Sequence, residues 1–418
     1  MERSETICAE LGSTSADIIG GNIARDAQRR IRGTCVMSES VNEVAPGIFQ
    51  MRIPMPENPL GYTLPYLVTG PDKPILIDTG LRSEEGIEAL EDQLRGQLGI
   101  KPGQIDFILI THNHPDHYGL AIDAKKLTGG RTAMHRIDWE QSPFREAMEA
   151  IKRDPKAART GGEDRMKAWY RRHGVPEEEL QGQLFGGRRG RRAIQEEERR
   201  QEHPEGIPSH GDSAERGAGE EREARQWALF REFEPPDLLL DGSEVYKTGK
   251  HNLRAFWTPG HTPGHLCWVD EEARLVFTGD HILPIITSNV SVRMTSDGDP
   301  LGDYLDSVAK VGELDVDLVL PAHEHHFTDL KGRVAELHKH HDARLDAVLK
   351  AADGPPRTAY EVAAGVPWDV GGWDEMDEFL RRAAVGETLS HLEHLSRKGT
   401  TRRIRDEGSP LVRWQAVQ

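Results

Sequence analysis

Short apolar runs between glycine, proline and aspartate residues dominate the pattern of the chain from residue 41 onward. The runs 66–68 and 74–77 flank a Gly-Pro-Asp turn and predict a pair of strands. Apolar residues recur with helical spacing over 83–98 and stop at a glycine, which predicts a helix. The unbroken run 107–110 is typical of a strand buried on both faces of a sheet. Strands alternating with a helix predict an α/β fold.

A second set of strand-like runs follows the middle of the chain, at 253–257, 275–277 and 318–320. Each of these runs ends in a cluster of polar residues. Helical spacing then predicts one helix over 331–352 and another at about 375–398, with a short helix between them and a polar, hairpin-like tail after them. Three helices followed by such a tail are typical of a small winged-helix domain.

The pattern divides the chain into three regions. Residues 1–40 are polar and weakly periodic, so we expect a disordered or peripheral leader. Residues 41–330 form the main domain, which carries an insertion at about 140–250, and residues 331–418 form the winged-helix-like domain. Within the insertion, the charged stretch 187–226 has almost no large apolar side chains and cannot offset its ordering entropy. We expect a solvated or disordered segment there, with a mobile lid over an active site as the alternative.

Composition and charge narrow the classes of function. The 418 residues carry a net charge of −17, which argues against nucleic-acid binding through phosphate neutralisation. No run approaches the ~18 apolar residues of a membrane-spanning helix, and the chain does not start with the basic and apolar segments of a secretory signal. Three cysteines are too few and too scattered for a disulfide framework or a Cys-rich zinc site. We therefore expect a cytoplasmic protein.

One motif stands out as a candidate metal site, His112-x-His114-x-Asp116-His117, on the loop after the buried strand 107–110. Imidazole and carboxylate groups suit zinc, and they also accept iron or manganese. A loop after a rigid strand can aim alternate side chains into one pocket. His112 and His114 can then serve one ion, while Asp116 and His117 serve a second.

Three later strands also end in a ligand-type residue: His261, Asp280 and His323. Strands that end at the same edge of a sheet bring these residues close together, and a dinuclear site requires several such ligands in one place. Asp280 is suited to bridge the ions, because a carboxylate has two oxygens. Two ions about 3.5–4 Å apart would hold and acidify a water molecule.

With these motifs, the chain resembles the metallo-β-lactamase fold superfamily over roughly residues 41–330, including the aspartate motif at Asp78-Thr79-Gly80. The resemblance implies a four-layered αββα sandwich with two metal ions, zinc by expectation, at one edge between the sheets. It implies that the first ion is bound by His112, His114 and His261, and the second by Asp116, His117 and His323. Asp280 would bridge them, and Asp78 would support the metal loop without binding metal.

Details of the motifs are similar to particular branches of that superfamily. Residues 258–265 and Ala322-His323-Glu324 resemble the glyoxalase II-like branch, whose members cleave thioesters. A bridging aspartate at 280 departs from the true β-lactamases. Residues 333–414 resemble the winged-helix segment of the β-lactamase-like protein 2-like branch.

Other residues near the motifs are weaker candidates. His265 is expected to support the metal ligands without binding metal, or to be structural. Tyr118 and Arg293 are weak candidates for substrate contact, and packing is the alternative for Tyr118. His325 and His326 adjoin His323 and compete with it as ligands.

The resemblance implies a dinuclear hydrolase in which a metal-bridging hydroxide attacks a small thioester, ester or lactone, with Asp116 or Asp280 shuttling a proton. The alternatives are an RNA-processing nuclease, a persulfide dioxygenase with one iron, and a hydrolytic dehalogenase. We expect a small-molecule substrate and neither a membrane nor a nucleic-acid partner. The oligomeric state stays open, a homodimer included.

Overall fold

A computed structural model describes residues 40–180 and 234–417, apart from Glu57, Asp154, Arg293, 295–297 and Asp406. The predicted leader 1–40, except Ser40, and the charged stretch 187–226 lie outside the described residues. So does Arg293, one of the two candidates for substrate contact. The expectations for these segments therefore stay predictions.

The first nine strands are β1 (Val41–Ala45), β2 (Ile48–Met51), β3 (Ile53–Pro54), β4 (Tyr62–Thr63), β5 (Tyr66–Val68), β6 (Ile75–Ile77), β7 (Phe107–Leu109), β8 (Arg131–His135) and β9 (Leu238–Leu240). Seven of them form one sheet in the order β1-β2-β5-β6-β7-β8-β9, and β3 and β4 form a separate hairpin. Strands β6 to β9 run parallel to one another, while β1, β2, β5 and β6 pair antiparallel.

The second sheet contains five strands: β10 (Val245–Thr248), β11 (His251–Trp257), β12 (Leu266–Asp270), β13 (Leu275–Gly279) and β14 (Leu318–Pro321). They follow one another across the sheet in chain order. The first three pairs are antiparallel, and β13 pairs with β14 in parallel. Because β9 and β10 belong to the two sheets, the end of the predicted insertion at about 140–250 overlaps the sandwich.

The helices cover the outer faces of the two sheets. Their bounds are α1 (Glu84–Glu91), α2 (Pro115–Tyr118), α3 (Ala121–Thr128), α4 (Arg136–Glu140), α5 (Pro143–Arg153), α6 (Pro155–Arg172), α7 (Pro300–Gly312), α8 (Leu330–Ala351), α9 (Ala359–Ala364) and α10 (Glu378–Arg397). Helix α1 begins at Ser83, whose hydroxyl accepts a hydrogen bond from the Gly86 amide, and continues as π-helix over Asp92–Gln97. The segment 83–98, which the sequence predicts as one helix, thus contains an α-helix followed directly by a π-helix.

Alternation along the strands places the hydrophobic core on both faces of each sheet. Leu67, Leu76 and Ile108 lie on the outer face of the first sheet and pack with α1 to α3. Their neighbours in sequence, Tyr66 and Ile77 among them, point to the other face, where they meet the second sheet. The outer face of the second sheet packs against α7, α8 and α10. The layers are therefore helix, sheet, sheet and helix, and the predicted α/β sandwich is confirmed.

Residues after 330 add three helices and a small antiparallel sheet. The strands β15 (Arg357–Thr358), β16 (Thr401–Arg405) and β17 (Val412–Ala416) lie in the order β15-β17-β16. The chain therefore runs helix, strand, helix, helix, strand, strand, an order that fits the winged-helix prediction without testing it. The core of this region is continuous with that of the sandwich, since Trp414 and Leu389 belong to the same buried cluster as Val319 of β14.

None of the helices within the described residues is both long enough and apolar enough to cross a membrane.

The shared core predicts that the C-terminal region and the sandwich unfold together. Trp414 is fully buried, so Trp414→Ala should lower the free energy of unfolding by about 3–5 kcal/mol. Phe379 is 47% exposed, and Phe379→Ala should change it by less than about 0.5 kcal/mol. Urea unfolding followed by circular dichroism measures both. A sandwich transition that stays unchanged in Trp414→Ala would contradict the shared core.

Candidate metal centre

The loop after β7 carries four of the predicted ligands. His114 precedes α2, and Pro115 occupies its first turn, where the missing amide of proline costs no hydrogen bond. His112 and His114 lie before the single turn of α2, whereas Asp116 and His117 lie within it, and the two pairs belong to different groups of ligands. This short helix explains how six consecutive residues supply ligands to two neighbouring positions.

The later strands bring the remaining ligands to the same edge. His261 follows β11, Asp280 follows β13 directly, and His323 comes two residues after the end of β14. Asp280 and His323 are both buried. Since β13 and β14 are parallel, their ends reach the same edge of the sheet.

The first group of side chains consists of His112, His114, His261 and Asp280, whose nearest ligand atoms lie within 4.8 Å of one another. His261 Nε2 is 3.2 Å from His112 Nε2 and 3.0 Å from His114 Nδ1. Asp280 Oδ2 is 3.6 Å from His261 Nε2 and 3.9 Å from His112 Nε2. A tetrahedron of ligands around zinc has edges of about 3.3 Å, given bonds of about 2.0–2.1 Å, so the spacing suits such an ion.

The second group consists of Asp116, His117 and His323. His323 Nε2 lies 3.3 Å from Asp116 Oδ2, and His117 Nε2 lies 3.8 Å from the same oxygen. Asp280 Oδ1 is 3.2 Å from His323 Nε2 and 3.3 Å from His117 Nε2. One oxygen of Asp280 therefore faces the first group and the other faces the second, as a bridging carboxylate would.

The ring nitrogens that face away from the centre have partners of their own. Nδ1 of His261 lies 2.8 Å from the carbonyl oxygen of Asn289, and Nδ1 of His323 lies 3.1 Å from that of Tyr62. A carbonyl can only accept, so each Nδ1 carries a proton and each Nε2 is free to bind a metal. We assign these tautomers from the hydrogen-bond partners.

Asp78 supports ligands of both groups. Its Oδ1 accepts from the Thr111 amide at 2.8 Å, and its Oδ2 accepts from the Thr111 hydroxyl and from His117 Nδ1, each at 2.8 Å. Thr111 Oγ1 in turn lies 3.0 Å from His112 Nδ1. Asp78 has φ of 58°, a conformation that side chains other than glycine rarely adopt. This strained residue holds the metal loop in the supporting role that the resemblance implied.

Asp138, on α4, joins the metal loop to the loop that carries His261. Its Oδ2 accepts from the Asn113 amide at 3.1 Å and from the Thr262 hydroxyl at 2.7 Å, and its Oδ1 accepts from the Gly264 amide at 2.7 Å. Asp138 is fully buried. Sequence reasoning missed this residue, because a single aspartate in a short helix follows no ligand pattern.

Charges and burial shift the pKa values of the site in opposite directions. Burial, reinforced by neighbouring imidazoles, lowers the pKa of His112 well below its ordinary value. Burial acts in the same sense on His117, but the carboxylates around it, Asp280 foremost, outweigh it and raise its pKa well above the ordinary value. Burial opposes ionisation of Asp116 and Asp280, yet His117 and His323 outweigh it and lower the pKa of Asp116 to about 2 and that of Asp280 well below its ordinary range. Both carboxylates are therefore ionised at neutral pH.

Several buried atoms at the centre make no hydrogen bond within the described part of the chain. They are His117 Nε2, His323 Nε2 and Asp280 Oδ1. Buried polar atoms are nearly always satisfied, so three such atoms that converge on one point need a shared partner. A divalent ion fits both the position and the chemistry of these donors.

The remaining candidates near the motif have different surroundings. His265 is fully buried behind the first group, with its ring centre 5.2 Å from that of His112 and its Nδ1 2.9 Å from the Thr258 hydroxyl, in line with the predicted supporting role. Tyr118 packs in the core under the first sheet, and its hydroxyl donates to the Glu234 carbonyl. Substrate contact and packing both stay predictions for Tyr118.

His325 and His326 are exposed, whereas the side chain of His323 is 1% exposed and faces Asp116 and Asp280. The choice of His323 among the three neighbouring histidines therefore matches the geometry.

A comparison with known families agrees with this geometry. The sequence profile described as the metallo-beta-lactamase superfamily matches residues 58–194 and 198–323. The chain belongs to the metallo-beta-lactamase superfamily. The predicted resemblance is thereby confirmed at the level of the superfamily.

One relative is the probable metallo-hydrolase YqjP of Bacillus subtilis, which is 24% identical over 352 residues, 83% of this chain and 92% of that protein. The lactamase-like protein aptB of Emericella nidulans is 34% identical over 110 residues, 26% of this chain. The matched segment spans about a third of that fungal relative, 33% of its length.

Solved structures in the superfamily match most of the chain. The metallo-beta-lactamase family protein TTHA1429 of Thermus thermophilus has a TM-score of 0.62 and 27% identity, with 90% of this chain and 100% of that chain covered. A beta-lactamase domain protein from Burkholderia ambifaria has a TM-score of 0.61 at 23% identity over 90% of this chain and 95% of its own, which shows the shared fold.

The support that Asp78 gives to the metallo-beta-lactamase site can be measured as metal affinity. Asp78→Ala removes the acceptor for His117 and the partner of Thr111, and loss of such a partner lowers metal affinity by about 10–100-fold. The matched control is Asp106→Ala, because Asp106 makes a surface ion pair with Arg131 at 3.4 Å. Zinc titration of the apoprotein against a chromophoric chelator measures both variants. Equal affinities in the two would refute the role of Asp78.

Proposed function

We propose that this chain is a dinuclear metal-dependent hydrolase that acts on a small thioester, ester or lactone. The observation that carries the proposal is the position of Asp280, whose two oxygens face two separate groups of histidine and aspartate side chains. Membership in the metallo-beta-lactamase superfamily and the likeness to a probable metallo-hydrolase support the hydrolytic class. All seven proposed ligands meet at one edge of the sandwich.

Two divalent ions bound at this centre would lower the pKa of a water molecule and polarise the carbonyl of a substrate. The residues of the chain hold and orient the ligands around them. Asp280 ties the two groups together, while Asp78 and the Asn289 carbonyl fix the rings of His117 and His261. The side chain of Asp116 is 19% exposed, against 12% for Asp280 and 1% for His323. Its ionised carboxylate is therefore the one best placed to accept a proton from the attacking water and pass it to a leaving thiolate or alkoxide.

Zinc is the metal that we propose for both positions. Imidazole and carboxylate ligands at these spacings suit a tetrahedral ion, although iron and manganese accept the same donors. The two groups also argue for two ions and against a persulfide dioxygenase with one iron, since the second group would have no role there.

The surroundings of the centre favour a small substrate with an apolar part. Ile285 is 56% exposed and Ile286 is 37% exposed. The carboxylate of Glu324, the residue after His323, accepts hydrogen bonds from their amides at 3.0 and 3.3 Å. Exposed aliphatic side chains fixed this close to the second group suit an acyl chain or a lactone ring.

A nucleic-acid substrate has less support. Two of the exposed arginines of β16 have neutral or acidic partners: Arg402 donates to Gln415, and Arg403 pairs with Glu393 at 2.8 Å. These contacts and the net charge of −17 both reduce the attraction of this surface for phosphate groups.

The test of the proposed function changes one histidine of the first group and the bridging aspartate. His114→Ala and Asp280→Ala should each lower kcat/KM for hydrolysis by at least about 100-fold. Each should also lower the number of bound metal ions, because each removes a proposed ligand. His325→Ala is the matched control, since this exposed histidine lies two residues from His323 and outside both groups.

The measurement is a hydrolysis screen over thioesters, lactones and esters, with metal content determined on the same samples. Full activity in His114→Ala or Asp280→Ala would rule out the proposed centre. Cleavage of RNA without hydrolysis of any small ester would move the chain to the nuclease alternative.

A further inference from the structure

Residues 282–292, which we call the site loop, lie between the metal centre and the C-terminal helices and contact both. The loop follows the bridging Asp280 and supplies the Asn289 carbonyl that fixes the ring of His261 at 2.8 Å. The hydroxyl of Ser288 also lies 3.0 Å from the same ring nitrogen. The position of the site loop therefore sets the orientation of one ligand of the first group.

Helix α10 lies directly against the site loop. Ser390 Oγ is 2.6 Å from the carbonyl oxygen of Val290, the residue after Asn289. Gly386 lies one turn earlier, and a Cβ at this position would be 3.0 Å from Ser291 Oγ and 3.3 Å from Ser291 Cβ. The helix approaches the loop so closely that no side chain fits at Gly386 without a shift of its neighbour.

A third contact continues the same line along α10. His394 Nδ1 is 2.9 Å from Asp299 Oδ2, and Asp299 caps the start of α7. Gly386, Ser390 and His394 are four residues apart in sequence, so they form one stripe on the helix surface. This stripe faces the segment that links β13 to α7.

Helix α8 holds the other end of the site loop. Arg333 donates to the carbonyl oxygens of Leu283 at 2.7 Å, Ile285 at 2.9 Å and Ile286 at 2.8 Å. The loop is thus fixed at both ends by helices from the region after residue 330.

We propose that α10 is a positioning element of the metal centre, in which Gly386 and Ser390 hold the site loop so that the Asn289 carbonyl orients His261. The inference rests on the proposed metal centre and adds a role for the C-terminal region. Neither Gly386 nor Ser390 contacts a ligand, so both are positioning residues. We expect the larger effect on the first group, because the Asn289 carbonyl orients His261, whereas Asp78 and the Tyr62 carbonyl orient the rings of His117 and His323. The end of the loop that lies near the second group, at Ile285 and Ile286, is held by Arg333 of α8 and not by α10.

Gly386→Ala tests this proposal through the separate affinities of the two metal positions. The added methyl group should displace the site loop by a few tenths of an ångström and weaken binding at the first group about 10-fold, the lower end of the range for a lost ligand partner. Binding at the second group should change less than about 2-fold. Stepwise titration of the apoprotein with Co²⁺, followed by its visible absorption, measures the two affinities.

Reference and control variants make the readout specific. His114→Ala and His323→Ala identify which titration step belongs to which group. Gly372→Ala is the glycine control, because a Cβ there meets no atom closer than 3.8 Å, and Ser396→Ala is the serine control on α10. Both controls should retain the two affinities of the unchanged chain.

Two further variants test the positioning role even if Gly386→Ala does not fold. Ser390→Ala removes one hydroxyl and should weaken the first position about 3- to 10-fold, through the loss of a single hydrogen bond. Ser291→Gly combined with Gly386→Ala removes both atoms that the new methyl group meets, but also the hydrogen bond from Ser291 to Asn289 Oδ1 at 2.7 Å. The double variant should therefore bind more tightly at the first position than Gly386→Ala, and as tightly as Ser291→Gly alone.

The outcomes separate this inference from the proposed function. Equal weakening of both positions, or no weakening in Gly386→Ala and Ser390→Ala, would overturn the positioning role while two ions still bind to the unchanged chain. An unchanged chain that binds no Co²⁺ would overturn the proposed metal centre itself, and this inference with it.

Discussion

The metal centre depends on the carboxylate of Asp280, because its two oxygens face histidines of both groups of candidate ligands. His112 and His117 are fully buried, and burial of ionisable groups is costly unless they are paired or bind a metal. Asp280 is ionised in this setting and faces histidines of both groups within 4 Å. The fold supports this concentration of polar groups by holding each ligand from behind.

That support comes from separate parts of the fold. Asp78 follows a strand of the first sheet, Asp138 lies on α4, and Asn289 precedes Val290, whose carbonyl accepts a hydrogen bond from Ser390 of α10. The ligands themselves follow strands whose ends meet at one edge. Rigid strands therefore position the ligands, and hydrogen bonds to Asp78, Asp138 and the Asn289 carbonyl hold the loops after β7 and β11.

The sequence was sufficient to predict the α/β sandwich and the superfamily, because buried strands and the ligands that follow them are local patterns. The division of the seven candidate ligands into two groups was implied by the family resemblance, and the side chains lie in two such groups in the structure. Asp138 and the Asn289 carbonyl were out of reach, since a lone aspartate and a backbone oxygen carry no spacing signal. The role of Gly386 depends on a close approach between a helix and a loop about 95 residues apart, and only the tertiary structure reveals it.

The most direct test of a dinuclear centre is the metal content per chain of protein purified without added metal, measured together with hydrolysis of thioesters, lactones and esters. The proposed function predicts close to two zinc ions per chain, and turnover of a thioester or lactone, because Asp280 lies between two groups of candidate ligands. A single iron ion per chain with no hydrolysis would contradict it, since one of the two groups would then have no function.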